Sequence, residues 1–454
     1  MTAFGVYNQP EDGREFPARP NHGIEDYMSR ASLAIAAFST IVEWYDFTLY
    51  LYFATVLARV FFGGGESALI VTLAGFAAAY LLRPVGAIAF GHVGDRFGRR
   101  RTMLLSVALM TAGMFATALL PTHAQAGAIA GWLLFLLRCL MGFSVGGEYS
   151  VVIAYLLEGS PPGNRGLIAS LASAASEIGG LLAVGVSSMV VTALDPATLD
   201  AWGWRIPFLV GTVMAASVWI ARTAMQESPD FERQLANGTV PESPLRHAFA
   251  EHRIGILRSF TISALGSITY YVGITYVPAF LTSAGGFSES ASLQLSTLAA
   301  VAVILITPVT GALSDRLGRK PVLLALAGLS AVLPIATFHM MGSGTHMSAL
   351  WGAIILACVA GAVSAVGAVA TAEQFPGEGR VSGLALGATS ATVLFGGLTP
   401  YLAQLLAHKT GMPMVPGLMI AVVALLVLPV FYAMPETAPR RQRRAEAFGD
   451  APIL

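Results

Sequence analysis

Two acids stand three residues apart in "VEWYDFTLY" (42–50), Glu43 and Asp46. On a helix that spacing puts both on one face. Their surroundings are apolar, and two carboxylates held close together there cannot both stay ionised cheaply, so the pair suits the carriage of a proton. Asp46 is the first candidate for that role, with Glu43 beside it. Two guanidiniums, Arg83 and Arg138, lie in similarly apolar stretches. They keep their charge and present paired donors that match a carboxylate. Arg83 either holds an anionic solute or neutralises Asp46 or Glu148, and Arg138 is the second candidate anion ligand. Glu148, after Gly146 and Gly147, and Glu177, in "SASEIGG", are two more acids of this kind. Each is open between a share in proton coupling and a buried ion pair. Trp44 and Tyr45 flank the acids, and "TYYVGITYVP" (269–278) supplies Tyr270 and Tyr271. Such rings can wall a solute site while their polar tips bind it; Gln404 is a weaker candidate.

The elements that position these residues must be membrane helices. Of 454 residues, 55% are hydrophobic and 11% charged, against about 25% charged in a soluble domain. Lipid must therefore cover most of the surface. A crossing helix needs roughly 20 apolar residues, which gives twelve spans near 31–62, 67–90, 102–120, 129–158, 166–193, 205–222, 256–281, 290–313, 320–341, 348–375, 381–408 and 415–434. Twenty-one of the 26 Lys and Arg fall on the side that holds both ends. The positive-inside rule then places both termini in the cytoplasm and requires an even number of crossings. The expected organisation is a cytoplasmic tail (1–30), a six-helix bundle (31–222), a polar linker (223–255), a second six-helix bundle (256–434) and a cytoplasmic tail (435–454). The first thirty residues have no apolar core and do not read as a cleavable signal peptide. By the rise of about 1.5 Å per residue, Glu43 lies about 20 Å along its helix from Arg30, near the midplane.

The chain is written twice. "GHVGDRFGRRR" (91–101) recurs as "GALSDRLGRK" (311–320), so Asp95, Arg96 and Arg99 correspond to Asp315, Arg316 and Arg319. Glu158 and Arg165 in "EGSPPGNRG" recur with the same separation as Glu373 and Arg380 in "EQFPGEGRV". Two pseudo-symmetric halves with a binding site between them are the architecture of alternating-access transporters. Gly91, Gly94 and Gly98 allow a tight turn and close helix approach. The acids beside them can pair with arginine or face a helix N-terminus. Glu158 with Arg165, and Glu373 with Arg380, are expected to form gate pairs. The intramembrane acids and arginines all fall in the first half, so the halves share a scaffold and divide the chemistry.

The repeated loop resembles the signature of the major facilitator superfamily. "VEWYDFTLY", "LLRPVGA" (81–87), "GFSVGGEY" (142–149) and "WGWRIPF" (202–208) are similar to its metabolite:proton symporter branch, which includes citrate, α-ketoglutarate, shikimate and proline/betaine permeases. The resemblance implies an all-α membrane protein of twelve helices in two six-helix bundles, in a bacterial-type inner membrane. It implies a cytoplasmic gate at Asp95, Arg96 and Arg99. It also implies proton-coupled symport of a small polar metabolite, a mono-, di- or tricarboxylate, with osmolyte symport for betaine or proline as the alternative. "FGGLTP" (395–400) leans to the carboxylate carriers. So does the end of the chain, only ten residues after Arg444 and without the coiled coil of osmolyte relatives. A membrane-embedded enzyme or sensor is the remote alternative, with no catalytic cluster to recommend it. No phosphate-binding glycine loop and no zinc-type Cys/His spacing occurs, so neither cofactor nor metal is expected. The expected partners are solute, proton and lipid rather than nucleic acid, and a monomer suffices.

Overall fold

The computed structural model describes residues 28–438 except 65–67, 69–70, 73–74, 76–77, 80, 241–248, 278–279, 282–283, 288, 343–344 and 377–378. Most of both tails, including the basic run 440–444, part of the second span and the middle of the linker lie outside the described residues.

Every regular element among the described residues is a helix. The first half holds α1 (Arg30–Tyr52, continued by Ala54–Phe62), α2 (Arg83–Phe97), α3 (Arg99–Ala118), α4 (Ala128–Gly159), α5 (Arg165–Ala193) and α6 (Arg205–Thr223). A linker helix, Pro229–Asn237, leads to α7 (Arg253–Tyr270), α8 (Glu289–Leu317), α9 (Arg319–Met341) and α10 (His346–Ala372). Then come α11, which runs in pieces from Arg380–Leu384 to Thr399–Thr410, and α12 (Val415–Ala433). Eight of these (α3–α6, α8–α10 and α12) contain a stretch long and apolar enough to cross a membrane by themselves. The other four have a reason to fall short. Glu43 and Asp46 interrupt α1, and α2 is described only from Arg83 on. A π-helical turn, Tyr271–Thr275, follows α7, and two more, Ala385–Thr389 and Val393–Gly397, break α11. Such turns are frequent at functional sites, and all four of these helices face the central cavity.

The repeat extends to backbone conformation. Gly98 between α2 and α3 has φ +103°, and Gly318 between α8 and α9 has φ +104°. A side chain there would be strained. Helices approach through small residues, as expected where lipid supplies no hydrophobic drive for association. A Cβ on Gly146 of α4 would stand 2.0 Å from the Arg83 carbonyl oxygen, and one on Gly142 would stand 2.4 Å from that of Ala79. Across the halves, α5 packs on α8 and α2 on α11. Gly166 and Gly311 meet there reciprocally, each hypothetical Cβ 2.5 Å from the other's carbonyl oxygen. Apolar side chains such as Leu136, Met189, Ile220, Leu305, Val332 and Leu426 are exposed, as a lipid-facing surface requires.

Gly146→Ala is expected to lower the thermal unfolding midpoint of detergent-solubilised protein clearly. Overpacking against backbone costs about 1–3 kcal/mol or more. Gly328→Ala in α9, where a Cβ would meet nothing within 4 Å, should leave the midpoint unchanged or slightly raised.

Candidate functional site

A cavity of about 1150 Å³, counted to its opening into solvent, lies between the halves. Its two walls differ in kind. The first half contributes Glu43 and Trp44 from α1, Arg83 from α2 and Glu177 from α5. Among the described residues, the second half contributes no charge to the cavity. It offers hydroxyls, among them Ser263, Ser267, Ser364 and Thr392, and the rings of Tyr270 and Tyr271. Ser267 donates to Thr392 at 3.0 Å, tying α7 to α11 at the wall.

The α1 face predicted from the sequence exists, and each acid on it meets an arginine from a different helix. Arg83 donates to Glu43 at 3.3 Å, and its guanidinium lies 4.8 Å from the Phe47 ring centroid. The other Glu43 oxygen, Oε2, is buried without a hydrogen-bond partner. Arg138 of α4 donates to Asp46 at 2.8 Å, over the Tyr50 ring at 5.0 Å. That pair sits behind the main cavity, in a smaller one of about 350 Å³ shared with Phe47 and Arg83. Among the described charged residues, Arg83 alone lines both cavities.

Two expectations for the solute site are corrected, and Glu148 is found in a buried ion pair. Arg138 does not reach the main cavity, because its guanidinium is committed to Asp46. Tyr45 is fully buried within the first half, where its hydroxyl donates to the Pro207 carbonyl at 2.9 Å; on a helix Trp44 and Tyr45 cannot both face inward. Glu148 is also off the cavity. It accepts from Ser106 and from Arg222, and Arg222 further donates to Ser39 and to the Met103 carbonyl. Arg222 lies in the last turn of α6, buried and paired with Glu148. The side chain of Gln404 lies outside the described residues. Trp44, Tyr270 and Tyr271 do line the cavity and touch one another. The Trp44 and Tyr270 rings are 5.4 Å apart and those of Tyr270 and Tyr271 5.5 Å, both edge to face.

Charged loops close one end of the molecule. Asp95 accepts from the backbone N–H of Val381 (3.3 Å) and Ser382 (2.8 Å), so it caps α11 from across the cleft. Asp315 does the same for α5, accepting from Gly166 (2.8 Å) and Leu167 (2.9 Å). A carboxylate at a helix N-terminus satisfies orphan donors and meets the positive end of the dipole. Arg99 and Arg319, both fully buried, hold these acids and also grip Glu158 (3.0 Å) and Glu373 (3.2 Å). The expected pairing within each Glu–Arg motif is overturned. Glu158 pairs across the halves with Arg380 at 2.8 Å, Glu373 pairs with Arg319, and Arg165 makes no ion pair among the described residues. Six residues of helix end and turn separate each acid from its own arginine, and the tertiary approach brings a different partner nearer. Arg96 and Arg316 are exposed, outside this lock.

Sequence reasoning missed two further acids. Glu227 accepts from the N–H groups of Arg99 (2.9 Å) and Arg100 (3.1 Å), and Glu436 from those of Arg319 (2.8 Å) and Lys320 (3.3 Å). Burial pushes the Glu227 carboxyl above its ordinary range, while the backbone donors of Ser228, Arg100 and Arg99 oppose that. A third repeat was available as their signal: "AMQES" (224–228) and "AMPET" (433–437). Asp230 of the linker helix also reaches Arg380, at 3.0 Å.

Asp95→Asn is expected to loosen this closed end. Hydrogen bonds to a charged group are worth about 1.5–3 kcal/mol, roughly tenfold or more in the ratio of closed to open forms. Maleimide labelling of a Ser382→Cys reporter should accelerate accordingly; an unchanged rate would remove Asp95 from the lock.

Two repeated helical bundles, covered by apolar side chains and enclosing a cavity that carries charged, hydroxyl and aromatic side chains, define a multi-pass membrane protein. The chain belongs to the Major Facilitator Superfamily, whose family model matches residues 33–358 and 286–453. It is 30% identical to the proline/betaine transporter of Salmonella typhimurium over 92% of this chain and 85% of that one. It is 32% identical to the alpha-ketoglutarate permease of Escherichia coli, covering 81% and 85%. With the citrate-proton symporter of Klebsiella pneumoniae it shares 30% identity over 83% and 85%. In fold it is similar to the proton:xylose symporter XylE bound to 6-bromo-6-deoxy-D-glucose, with TM-score 0.71 and 20% identity over 90% of this chain and 96% of that one.

Proposed function

We propose that the chain is a secondary active transporter that moves a proton and a small carboxylate-bearing metabolite together by alternating access. It works as a monomer in a bacterial-type inner membrane, both termini cytoplasmic, with lipid as its surroundings and no enzymatic activity. The observation that carries this reading is the Glu43–Arg83 pair at the cavity wall. It is a single hydrogen bond that leaves one carboxylate oxygen unpartnered. When Glu43 takes a proton from outside, it releases the guanidinium, and a solute carboxylate replaces it with a bidentate contact. Solute binding is thereby made conditional on protonation. Closure of the outer ends and release of the cap contacts at Asp95 and Asp315 would then expose both to the cytoplasm. The Asp46–Arg138 pair, one turn away on α1, is the second coupling candidate and ranks behind Glu43 because it is shut off from the main cavity.

The names of the relatives support a proton-driven carrier of carboxylates or of proline and betaine, and every one of these solutes has a carboxylate for Arg83. The test is uptake into proteoliposomes of citrate, α-ketoglutarate, proline and glycine betaine, with and without an imposed pH gradient. Accumulation of at least one solute only when the outside is acidic is the expected result. Uptake of every solute at gradient-independent rates would reject proton coupling.

A further inference from the structure

The charges on the cavity wall do not balance for an anion. Among the described residues that line it, Arg83 is the single cation, and it already faces Glu43. Glu177 is a second acid on the same wall, with no ion pair among the described residues and a hydrogen bond from Tyr270 of the opposite half. A di- or tricarboxylate would bring two or three negative charges to a wall that holds one positive and two negative groups. Buried charges are tolerated only when paired, so such a solute would leave at least one carboxylate uncompensated. The rings nearby offer the opposite kind of contact. Trp44 and Tyr270 stand edge to face across the two halves, and Tyr271 continues the series. Aromatic faces attract cations and suit methylated or secondary ammonium groups, which are weakly hydrated.

We propose that Glu177, with the rings of Trp44, Tyr270 and Tyr271, forms a cation subsite facing the Arg83 carboxylate subsite, so the solute is a small zwitterion. The inference rests on the symport reading above and narrows it. The solute carboxylate takes Arg83 from Glu43, its ammonium neutralises Glu177, and the transported proton stays on Glu43. No charge in the cavity is then left alone. The Glu177–Tyr270 hydrogen bond also gives the subsite a means of sensing occupancy, since Tyr270 belongs to the half that must move.

The test uses the full chain in proteoliposomes and three probes: glycine betaine, 3,3-dimethylbutyrate and succinate. The second has the shape of the first with a carbon in place of the charged nitrogen, so the pair isolates the cation. The wild-type protein is expected to take up glycine betaine with a kcat/KM at least about tenfold above that for 3,3-dimethylbutyrate, and to exclude succinate. Glu177→Gln should bring that ratio towards one. Trp44→Leu, which keeps Glu177, should lower the ratio about threefold or more and decides between the outcomes if Glu177→Gln does not fold. Equal wild-type rates for the two isosteres, or a ratio unmoved by either substitution, would overturn the subsite. Proton-driven accumulation of succinate without glycine betaine would leave the symport reading standing and sink this one. Absence of gradient-driven uptake of any of these probes and of the panel above would instead reject symport itself.

Discussion

Glu43→Gln is expected to abolish proton-driven accumulation while leaving exchange of solute across the membrane intact. Glutamine keeps the shape and can still accept the Arg83 hydrogen bond seen at 3.3 Å, but it cannot take up and release a proton. One proton moving down one pH unit supplies about 1.4 kcal/mol, a tenfold concentration ratio. Under such a gradient the wild-type protein should accumulate solute about tenfold for each coupled proton, and the variant should approach a ratio of one. Counterflow, in which labelled solute exchanges for unlabelled solute without net proton movement, should persist within a fewfold of the wild-type rate. Retention of full accumulation would exclude Glu43 as the coupling group and make Asp46→Asn the deciding variant. Loss of both activities would point to a structural role for the carboxylate.

Arg83→Gln should remove solute binding altogether at ordinary concentrations. The guanidinium is largely buried, with 11% of its side chain exposed, and truncating one partner of such a charge pair costs about 2–5 kcal/mol. That corresponds to affinity weaker by at least roughly thirtyfold. Arg83→Lys should recover only part of the loss, because an ammonium lacks the planar fork that meets a carboxylate at two points. Isothermal titration with the preferred solute of the uptake panel separates these outcomes. A near-normal affinity for Arg83→Gln would make the arginine scaffolding for α2 and leave the carboxylate subsite without its cation. Arg138→Gln is expected to act through stability rather than affinity, since its guanidinium is spent on Asp46 at 2.8 Å.

Much of this was legible in the chain. Apolar run lengths and 11% charged residues pointed to membrane helices, because a continuous apolar run of about 20 residues can satisfy its backbone groups in lipid within one helix. The repeat of Asp95 as Asp315 announced two halves, and the closed end bears out their equivalence down to the left-handed glycines at 98 and 318. The concentration of acids and arginines deep within the spans of the first half also follows from sequence alone, since charge in lipid is too costly to be incidental.

Which charge meets which was beyond the reach of spacing and hydropathy. Helical spacing puts Glu43 and Asp46 on one face, but whether each finds Arg83, Arg138 or Arg222 depends on how α2, α4 and α6 lean on α1. Neighbouring Trp44 and Tyr45 point to different surroundings, one into the cavity and one into the first half, because successive side chains on a helix diverge by about 100°. Glu158 abandons the arginine seven residues away for Arg99 and for Arg380 of the other half. The amino-acid order by itself determined the inventory of ionisable groups and their helices, through the cost of placing each in lipid. Tertiary packing alone decided their pairing, because Coulomb attraction acts through distances that only the assembled bundle defines.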